Sequence, residues 1–154
     1  MIVRIRKATL HDLDILLEFE QGLILAELPM DDTIISTEIT HYYDIPAYIK
    51  SADTLMLVAE NDKEVIGCGY GKIMDSPIWS TNQQYGHIGF MFVKDAHRGQ
   101  GISNLIIDKL CEWFKENNLK EARLKVYEKN PGAIKAYKRS GFEELRREMS
   151  VKLK

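Results

Sequence analysis

The sequence lacks the features that mark several large classes of protein. It has only two cysteines, Cys68 and Cys111, which lie far apart and have no neighbours at metal-ligand spacing, so neither a disulfide framework nor a zinc site is indicated. No apolar run approaches the roughly 20 residues that a membrane-spanning helix needs. The formal net charge of −2 predicts no overall attraction to nucleic acid or to an anionic membrane. Any site for an anion must therefore be local.

Other shortages bear on location and on metal chemistry. Basic residues interrupt the first apolar segment at Arg4, Arg6 and Lys7, so we expect neither a signal peptide nor a transit peptide. Both cysteines fall in apolar segments and are expected to be buried free thiols, which favours a reducing cytoplasm. The chain has four histidines and no recognisable ligand pair among them, so no metal is expected.

What is present is the composition of an ordinary globular protein. A chain of 154 residues that is 45% hydrophobic predicts a single domain over residues 1–154 with a substantial core. Apolar alternation predicts strands at 2–7, 54–60, 65–73, 85–93 and 121–127, and two final strands within 142–154. Helical periodicity predicts helices from Leu10 to about 27, over about 33–50 with a break at Pro46, after Gly101, and within 130–141. This order indicates a mixed α and β fold.

The stretch "HRGQGIS" at residues 97–103 connects an apolar strand to the clearest helix. The first amides of a helix have no intrahelical partner, and the helix dipole adds positive charge there. Gly99 and Gly101 would let a ligand approach the backbone, and Arg98 could supply a bidentate cation. Together these features predict a pyrophosphate site. An isolated Gly-x-Gly also fits a plain strand-to-helix turn.

A second motif, "NPGAIKAYKRSGF", follows about thirty residues later. With both motifs in this order the chain resembles the GCN5-related N-acetyltransferase (GNAT) family. The family pattern Gln/Arg-x-x-Gly-x-Gly/Ala is matched, with serine at its last position, by Arg98, Gly99, Gln100, Gly101, Ile102 and Ser103. The second pattern is matched by Asn130, Ala133, Tyr137, Gly141 and Phe142. The resemblance implies an α+β fold of α/β/α layers, with a mixed, mostly antiparallel twisted sheet and a splayed-strand acyl-CoA cleft.

The same resemblance implies how acetyl-CoA is held as cosubstrate. Pantetheine would bind the backbone of Met91, Phe92 and Val93, and the pyrophosphate would rest on amides from Arg98 to Ser103. Asn130 would bind the pantetheine arm or the acyl-CoA. Tyr137 would protonate the departing thiolate, a role that suits a phenol, although a core tyrosine also fits this position. Basic side chains that could attract the 3′-phosphate, or simply form a solvated face, are Lys135, Lys138 and Arg139.

The general base is less clear from the sequence. Many relatives carry a carboxylate on the strand before the signature, where this chain has Gly89 and Phe90. The candidates that remain are His87 and Glu27. The ordinary pKa of histidine, near 6.5, allows His87 to accept a proton at neutral pH, although a hydrogen-bonded structural histidine is an equal interpretation.

The expected reaction is direct transfer of an acetyl group, in a ternary complex, to a primary amine on a small molecule, a peptide or a protein. The acceptor pocket is expected between the first two helices and the loop at 75–84. Acidic residues there could favour a cationic amine or form a solvated surface: Glu18, Glu20, Glu27, Asp31 and Asp32. Aromatic residues that could line the pocket or belong to the core are Tyr42, Tyr43, Tyr48 and Trp79.

Two other functions fit the same residues. Because the strand carboxylate is missing, the chain could be a non-catalytic acyl-CoA-binding or sensory module on this fold. It could also be a structural domain without a ligand. A homodimer formed through the terminal strands is expected by analogy with the family.

Overall fold

The computed structural model describes residues 1–154 and is built on one five-stranded sheet. The strands are β1 (Arg4–Lys7), β2 (Thr54–Glu60), β3 (Val65–Asp75), β4 (Gln84–Val93) and β5 (Ala122–Leu124). They lie in the order β1-β2-β3-β4-β5. The first three pairings are antiparallel, and β4 pairs with β5 in parallel. The sheet is therefore mixed and mostly antiparallel, as predicted.

Helices cover both faces of this sheet. They are α1 (Leu13–Glu27), α2 (Ile45–Lys50), α3 (Ile102–Glu116) and α4 (Pro131–Arg139). Helices α1 and α2 share one apolar cluster with the sheet, which includes Leu16, Phe19, Ile45, Tyr70 and Phe90. Helix α3 packs on the opposite face through a second cluster, which includes Ile88, Ile102, Ile106, Leu110 and Phe114. This is the α+β arrangement that the sequence predicts. None of the helices combines the length and apolar composition needed to cross a bilayer.

Local sequence signals account for the ends of the two helices that follow the motifs. Gly101 precedes α3 with a φ of 79°, a left-handed conformation that glycine adopts without strain. Asn130 caps α4 by accepting a hydrogen bond from the amide of Ala133 at 3.2 Å, and Pro131 occupies the first turn. Gly141 follows α4 with a φ of 88°. The predictions of a helix after Gly101 and of a helix within 130–141 are confirmed.

The helix predicted over about 33–50 is wrong in its first two thirds. Residues 28–44 form turns and loop, and the helix spans only Ile45–Lys50. Pro46 does not break this helix but lies in its first turn, where its missing amide is not needed, while Asp44 accepts a hydrogen bond from the amide of Ala47. The apolar residues upstream follow no helical stripe that a neighbour could bury.

The two final strands are also absent, and β5 is shorter than the predicted 121–127. Residues 143–154 are exposed and have no regular structure. Strands form by pairing, and this segment pairs with no strand of the same chain, although β5 lies at the edge of the sheet. Met149, Val151 and Leu153 do alternate with polar residues, but alternation alone supplies no partner strand.

The two cysteines are both free thiols, as expected. Cys68 is buried inside β3, and burial raises the pKa of its thiol. Cys111 on α3 is only partly buried, so the expectation of burial holds fully for Cys68 alone.

A buried carboxylate fixes the corner between β1 and α1. Asp12 is 6% exposed and accepts two hydrogen bonds from the guanidinium of Arg6, at 2.8 and 2.9 Å, and one from the amide of Thr9 at 2.8 Å. Arg6 also bonds Glu60 on β2. The hydrogen bond from Arg6 is the main reason that the pKa of Asp12 lies below its ordinary value of 3.8.

We therefore expect Asp12→Asn to lower the free energy of unfolding by about 2 kcal/mol at pH 7, because it removes one of the two carboxylates that pair with Arg6. A lowered carboxyl pKa stabilises the fold fully above the unfolded value and loses its effect as the pH falls through the folded value. The difference from the unsubstituted protein should thus shrink below about pH 4. Urea unfolding across this range measures it, with the exposed Asp14→Asn as control. A difference that persists at acidic pH would contradict this assignment.

Candidate active site

A cleft opens where β4 and β5 part. The two strands pair only between Gly86, His87 and Ile88 on β4 and Ala122, Arg123 and Leu124 on β5. Beyond Ile88, Gly89, Phe92 and Val93 keep their pairing with β3, whereas β5 pairs with none of residues 89–93. The backbone groups on that side are open to an extended ligand, apart from the carbonyl of Val93, which accepts a hydrogen bond from Nε of Arg98. This is the predicted splayed strand, and Met91, Phe92 and Val93 lie along it.

A β-bulge at Phe90 bends β4 at the point where the cleft begins. The register with β3 shifts by one residue between the pairs Cys68–Phe92 and Tyr70–Gly89. Phe90 has a φ of 52°, which is unfavourable for an aromatic residue, and its ring is buried against that of Tyr43, with centroids 4.9 Å apart. Strain of this kind persists only where packing enforces it.

The predicted pyrophosphate turn lies between the end of β4 and the first turn of α3. Gly99 and Gly101 have φ values of 75° and 79°, and a Cβ atom on either would meet no protein atom within 4 Å. The space above this turn is therefore open, and the first amides of α3 border it. The guanidinium of Arg98 is held close by, since its Nε donates to the carbonyl of Val93 at 3.0 Å and it pairs with Asp95 at 2.9 Å. The arrangement fits a diphosphate group.

Helix α4 brings Tyr137 to the same region. Tyr137 packs against the cluster under α3 and lies edge-on to Phe142, with ring centroids 6.2 Å apart. Burial, and then the charge of Glu27, raise the pKa of Tyr137 to about 12, so its hydroxyl keeps its proton at neutral pH. The side-chain oxygen of Asn130 accepts the hydrogen bond that caps α4, so its side-chain nitrogen can still donate a hydrogen bond to a ligand.

Asn104 on α3 holds α4 in place, a role the sequence did not reveal. Its side-chain amide donates to the carbonyl of Ala136 at 3.1 Å and to the hydroxyl of Ser140. Both acceptors flank Tyr137 on the last turns of α4. The only available signal was a polar residue near the start of an amphipathic helix, and such residues are usually solvated.

Glu27, at the end of α1, faces a group of tyrosines. Its carboxylate accepts a hydrogen bond from the hydroxyl of Tyr42 at 3.0 Å. Burial is the main cause that raises the pKa of Glu27, and the negative charge of Asp31 adds to it. The negative charge of Glu27 also contributes to the raised pKa of Tyr127 and of Tyr137. The roles of Glu27 as base and of Tyr137 as acid stay predictions.

Asp31 joins the loop after α1 to the segment after β5. Its carboxylate accepts hydrogen bonds from Thr33 and, at 2.9 Å, from the hydroxyl of Tyr127. These bonds, those from Thr33 first, hold the pKa of Asp31 below its ordinary value. Tyr127 was not singled out from the sequence, because a tyrosine at the end of a short strand carries no signal of this partner.

His87, the other predicted base, lies in a different environment. It projects from β4 towards Tyr70, with ring centroids 5.9 Å apart. Burial, followed by the charges of Lys125 and Lys72, lowers the pKa of His87, so the ring is neutral at pH 7. No carboxylate shares in that shift. His87 could accept a proton there, and its role stays a prediction.

The remaining acidic and aromatic candidates do not all line the cleft. Glu20 is fully buried, while Glu18 is exposed on α1 and Asp32 pairs with Lys152.

Tyr43 and Tyr48 pack against the core cluster under α1. Trp79 lies on the hairpin between β3 and β4 and is 77% exposed. Lys135, Lys138 and Arg139 are exposed on α4, as either interpretation of them requires.

A comparison with protein families now identifies the fold. Residues 23–142 match the model of the acetyltransferase (GNAT) family, which covers most of the chain and both motifs. The chain belongs to the GNAT acetyltransferase family. It is thus an acyl-CoA-dependent acetyltransferase, and the cleft between β4 and β5 lies where the family signature predicted it.

Individual relatives agree with this assignment. An N-alpha-acetyltransferase of Sulfurisphaera tokodaii is 27% identical over 93% of this chain and 81% of that protein. Among solved structures, the BH1408 protein of Bacillus halodurans, as a tetramutant, matches with a TM-score of 0.86 at 24% identity over 99% of this chain and all of that one. A predicted acetyltransferase from Clostridium acetobutylicum, solved with acetyl-CoA, matches with a TM-score of 0.72 at 20% identity over 98% and 96% of the two chains. These two structures share the GNAT fold with this chain.

The turn at residues 98–103 gives the first test of the site. We expect Gly101→Ala to weaken acetyl-CoA binding roughly tenfold, because alanine at a φ of 79° costs about 1–2 kcal/mol and its Cβ would enter the open space above the turn. Gly132→Ala is the matched control, since that glycine also has open space but no positive φ. Isothermal titration calorimetry measures both. Equal affinities in the two variants would remove the turn from the binding site.

Proposed function

We propose that this acetyltransferase transfers an acetyl group from acetyl-CoA directly to a primary amine within a ternary complex. The observation that carries the proposal is the cleft of a GNAT acetyltransferase fold, formed where β5 leaves the edge of β4 open and the glycine turn lies beside it. A protein that only bound or sensed acyl-CoA would have no need for a carboxylate of raised pKa and a protonated phenol. We infer that residues 1–154 form one such domain.

The cosubstrate is proposed to lie along the parted edge of β4. The backbone of Met91, Phe92 and Val93 would bind the pantetheine arm, assisted by the free amide nitrogen of Asn130. The amides from Arg98 to Ser103, including those of Gln100 and Ile102, would hold the pyrophosphate. The fit rests on the open space above Gly99 and Gly101. Bound acetyl-CoA supplies the thioester, whose acetyl carbon forms a bond to the amine nitrogen as its bond to sulfur breaks.

Glu27 is proposed to accept the proton of the incoming ammonium group. An amine must be neutral to attack, and a carboxylate with a raised pKa is a stronger base than an exposed one. Tyr42 orients the carboxylate by bonding Oε2, so Oε1 remains free. Asp31, which stays ionised, adds negative charge at the same mouth and favours a cationic acceptor.

Tyr137 is proposed to donate the proton that the leaving sulfur needs. Its pKa of about 12 keeps the phenol protonated throughout the neutral range. The nitrogen loses two protons in all: one to Glu27 before attack, and one, once the C–N bond has formed, to the tyrosinate that Tyr137 becomes after it protonates the thiolate. Glu27 then passes its proton to solvent, so each turnover releases one proton.

The acceptor is proposed to be a cationic primary amine of a small molecule, a peptide or a protein. The α-amine of a peptide is the first to be tested, because the Sulfurisphaera tokodaii relative carries the name N-alpha-acetyltransferase. We expect the protein to work in the cytoplasm without a metal, with both thiols reduced.

The assignment of Glu27 as the base predicts how activity depends on pH. Activity should fall as the pH drops through the pKa of Glu27, which lies above the ordinary 4.5, because the base must be ionised. Glu27→Gln should lower kcat at least about 100-fold and abolish this acidic limb while acetyl-CoA still binds. Tyr137→Phe should lower kcat without moving the limb.

Initial rates against pH, with released CoA measured on a panel of peptide and small amines, test this assignment. If His87→Gln abolished the acidic limb and Glu27→Gln kept it, the base would be His87. If no amine in the panel were acetylated although acetyl-CoA bound, the alternative of a non-catalytic acyl-CoA-binding or sensory module would be favoured.

We also propose that two copies pair through the C-terminal segment, residues 143–154. Leu145, Met149, Val151 and Leu153 are between 64% and 91% exposed, and β5 offers an open sheet edge. Exposed apolar alternation beside an open edge favours strand addition.

Sedimentation velocity should then give about twice the 17.8 kDa of one chain. Deleting residues 148–154 should give a monomer, whereas Trp79→Ser, which removes an equally exposed apolar group from the β3–β4 hairpin, should not. A full-length chain that sediments as a monomer at every concentration would refute the dimer.

A further inference from the structure

One buried carboxylate takes no part in the chemistry above. Glu20 lies in the middle of α1 and is 0% exposed. A buried ionised carboxylate is costly unless several donors surround it. The groups that donate hydrogen bonds to Glu20 come from a part of the chain more than 20 residues away.

Three hydrogen bonds reach Glu20 from consecutive residues just before α2. Nδ1 of His41 lies 2.6 Å from Oε1. The backbone amides of Tyr42 and Tyr43 donate to Oε2, at 3.0 and 2.9 Å. Because a carboxylate only accepts, Nδ1 of His41 carries the proton of this bond. Glu20 therefore ties the end of the irregular segment 28–44 to the middle of the sheet-packed helix.

The two tyrosines held in this way both serve the cleft. The hydroxyl of Tyr42 donates to Glu27 at 3.0 Å. The ring of Tyr43 stacks on Phe90, the bulge residue at which the cleft opens. One other side chain of α1, Gln21, bonds this segment, through the carbonyl of Thr40 at 2.9 Å. Without Glu20, no hydrogen bond would fix the backbone of Tyr42 or Tyr43 to α1.

We propose that Glu20 is a positioning residue for acetyl transfer, which holds Tyr42 against Glu27 and Tyr43 against the bulge. The inference rests on the proposed role of Glu27 as base. It does not need Glu20 to touch substrate or to exchange protons.

The readout is the titration of Glu27, which depends on a known set of neighbours. Tyr42 bonds the carboxylate and Asp31 adds charge, while Tyr43, Tyr127 and Tyr137 lie within its field. The bond from Tyr42 lowers the pKa of Glu27 against the effect of burial. Losing that bond should raise the pKa further, whether the hydroxyl is removed or the backbone of Tyr42 is released.

The test compares three substitutions with one control. Glu20→Met, which removes every acceptor, should shift the titration of Glu27 upwards as Tyr42→Phe does, and combining both should shift it no further. It should also lower kcat roughly 10- to 100-fold, with acetyl-CoA still bound at residues 98–103. Glu20→Gln should stay near the unsubstituted protein, because its carbonyl can accept both amides while its amino group faces the other tautomer of His41. Glu18→Gln, exposed on the same helix, is the control.

Carbon-13 NMR of the glutamate carboxyls measures this titration without any turnover. If Glu27 titrates in folded Glu20→Met as in the unsubstituted protein, or if the shifts of Glu20→Met and Tyr42→Phe add, the positioning role is wrong. If the titration of Glu27 shifts as expected but no amine is acetylated, the proposed function is wrong, while the positioning role of Glu20 is supported.

Hydrogen exchange of the unsubstituted protein decides the matter should Glu20→Met not fold. The amides of Tyr42 and Tyr43 should be protected like those of α1, whereas residues 35–39 should exchange rapidly. Rapid exchange of the two tyrosine amides would overturn the proposal.

Discussion

The parting of β4 from β5 after Ile88 is the constraint on which the rest of the site depends. Three residue pairs hold the strands together, and the next residues of β4 keep a partner on one side alone. Unpaired backbone groups inside a sheet are costly unless something else bonds them. The bulge at Phe90 turns β4 away, and the stacking of Tyr43 on that ring enforces its unfavourable φ. The open edge is thus built into the apoprotein, ready for an extended ligand.

Charge at the cleft is arranged so that acid and base remain distinct. Glu27 and Asp31 are close enough to influence each other, but Asp31 is stabilised as an anion by its hydrogen bonds, whereas burial makes Glu27 the more basic of the two. The same charge of Glu27 reinforces the protonated state of Tyr137. Protonation of Glu27 therefore removes the proposed base, whereas burial, the larger cause of the raised pKa of Tyr137, keeps the proposed acid protonated.

Most of the fold, and the side of the cleft formed by β4, the glycine turn and α4, could be predicted from the sequence, because those parts depend on local signals. Gly101 before α3, the Asn130 cap of α4 and the alternation of β2 through β4 are all properties of a few neighbouring residues. The other side depends on contacts between distant residues. Glu20 bonds residues 21 to 23 positions away, and Tyr127 bonds Asp31 across 96 positions. No periodicity or motif encodes such pairs, so the sequence predicts Glu20 at the acceptor pocket or on a solvated surface and gives no sign of the bond of Tyr127. The prediction of two final strands was wrong for a related reason. A strand forms only beside a partner strand, and its own sequence does not specify that partner.

Amide hydrogen exchange with and without CoA tests the central claim most directly, because it reports on the parted strand and the glycine turn in the same experiment. The account predicts that CoA slows exchange in residues 91–93 and 98–103, while the amides of the β1–β2 pair remain unchanged. CoA binding that leaves both segments of the cleft unprotected would contradict it.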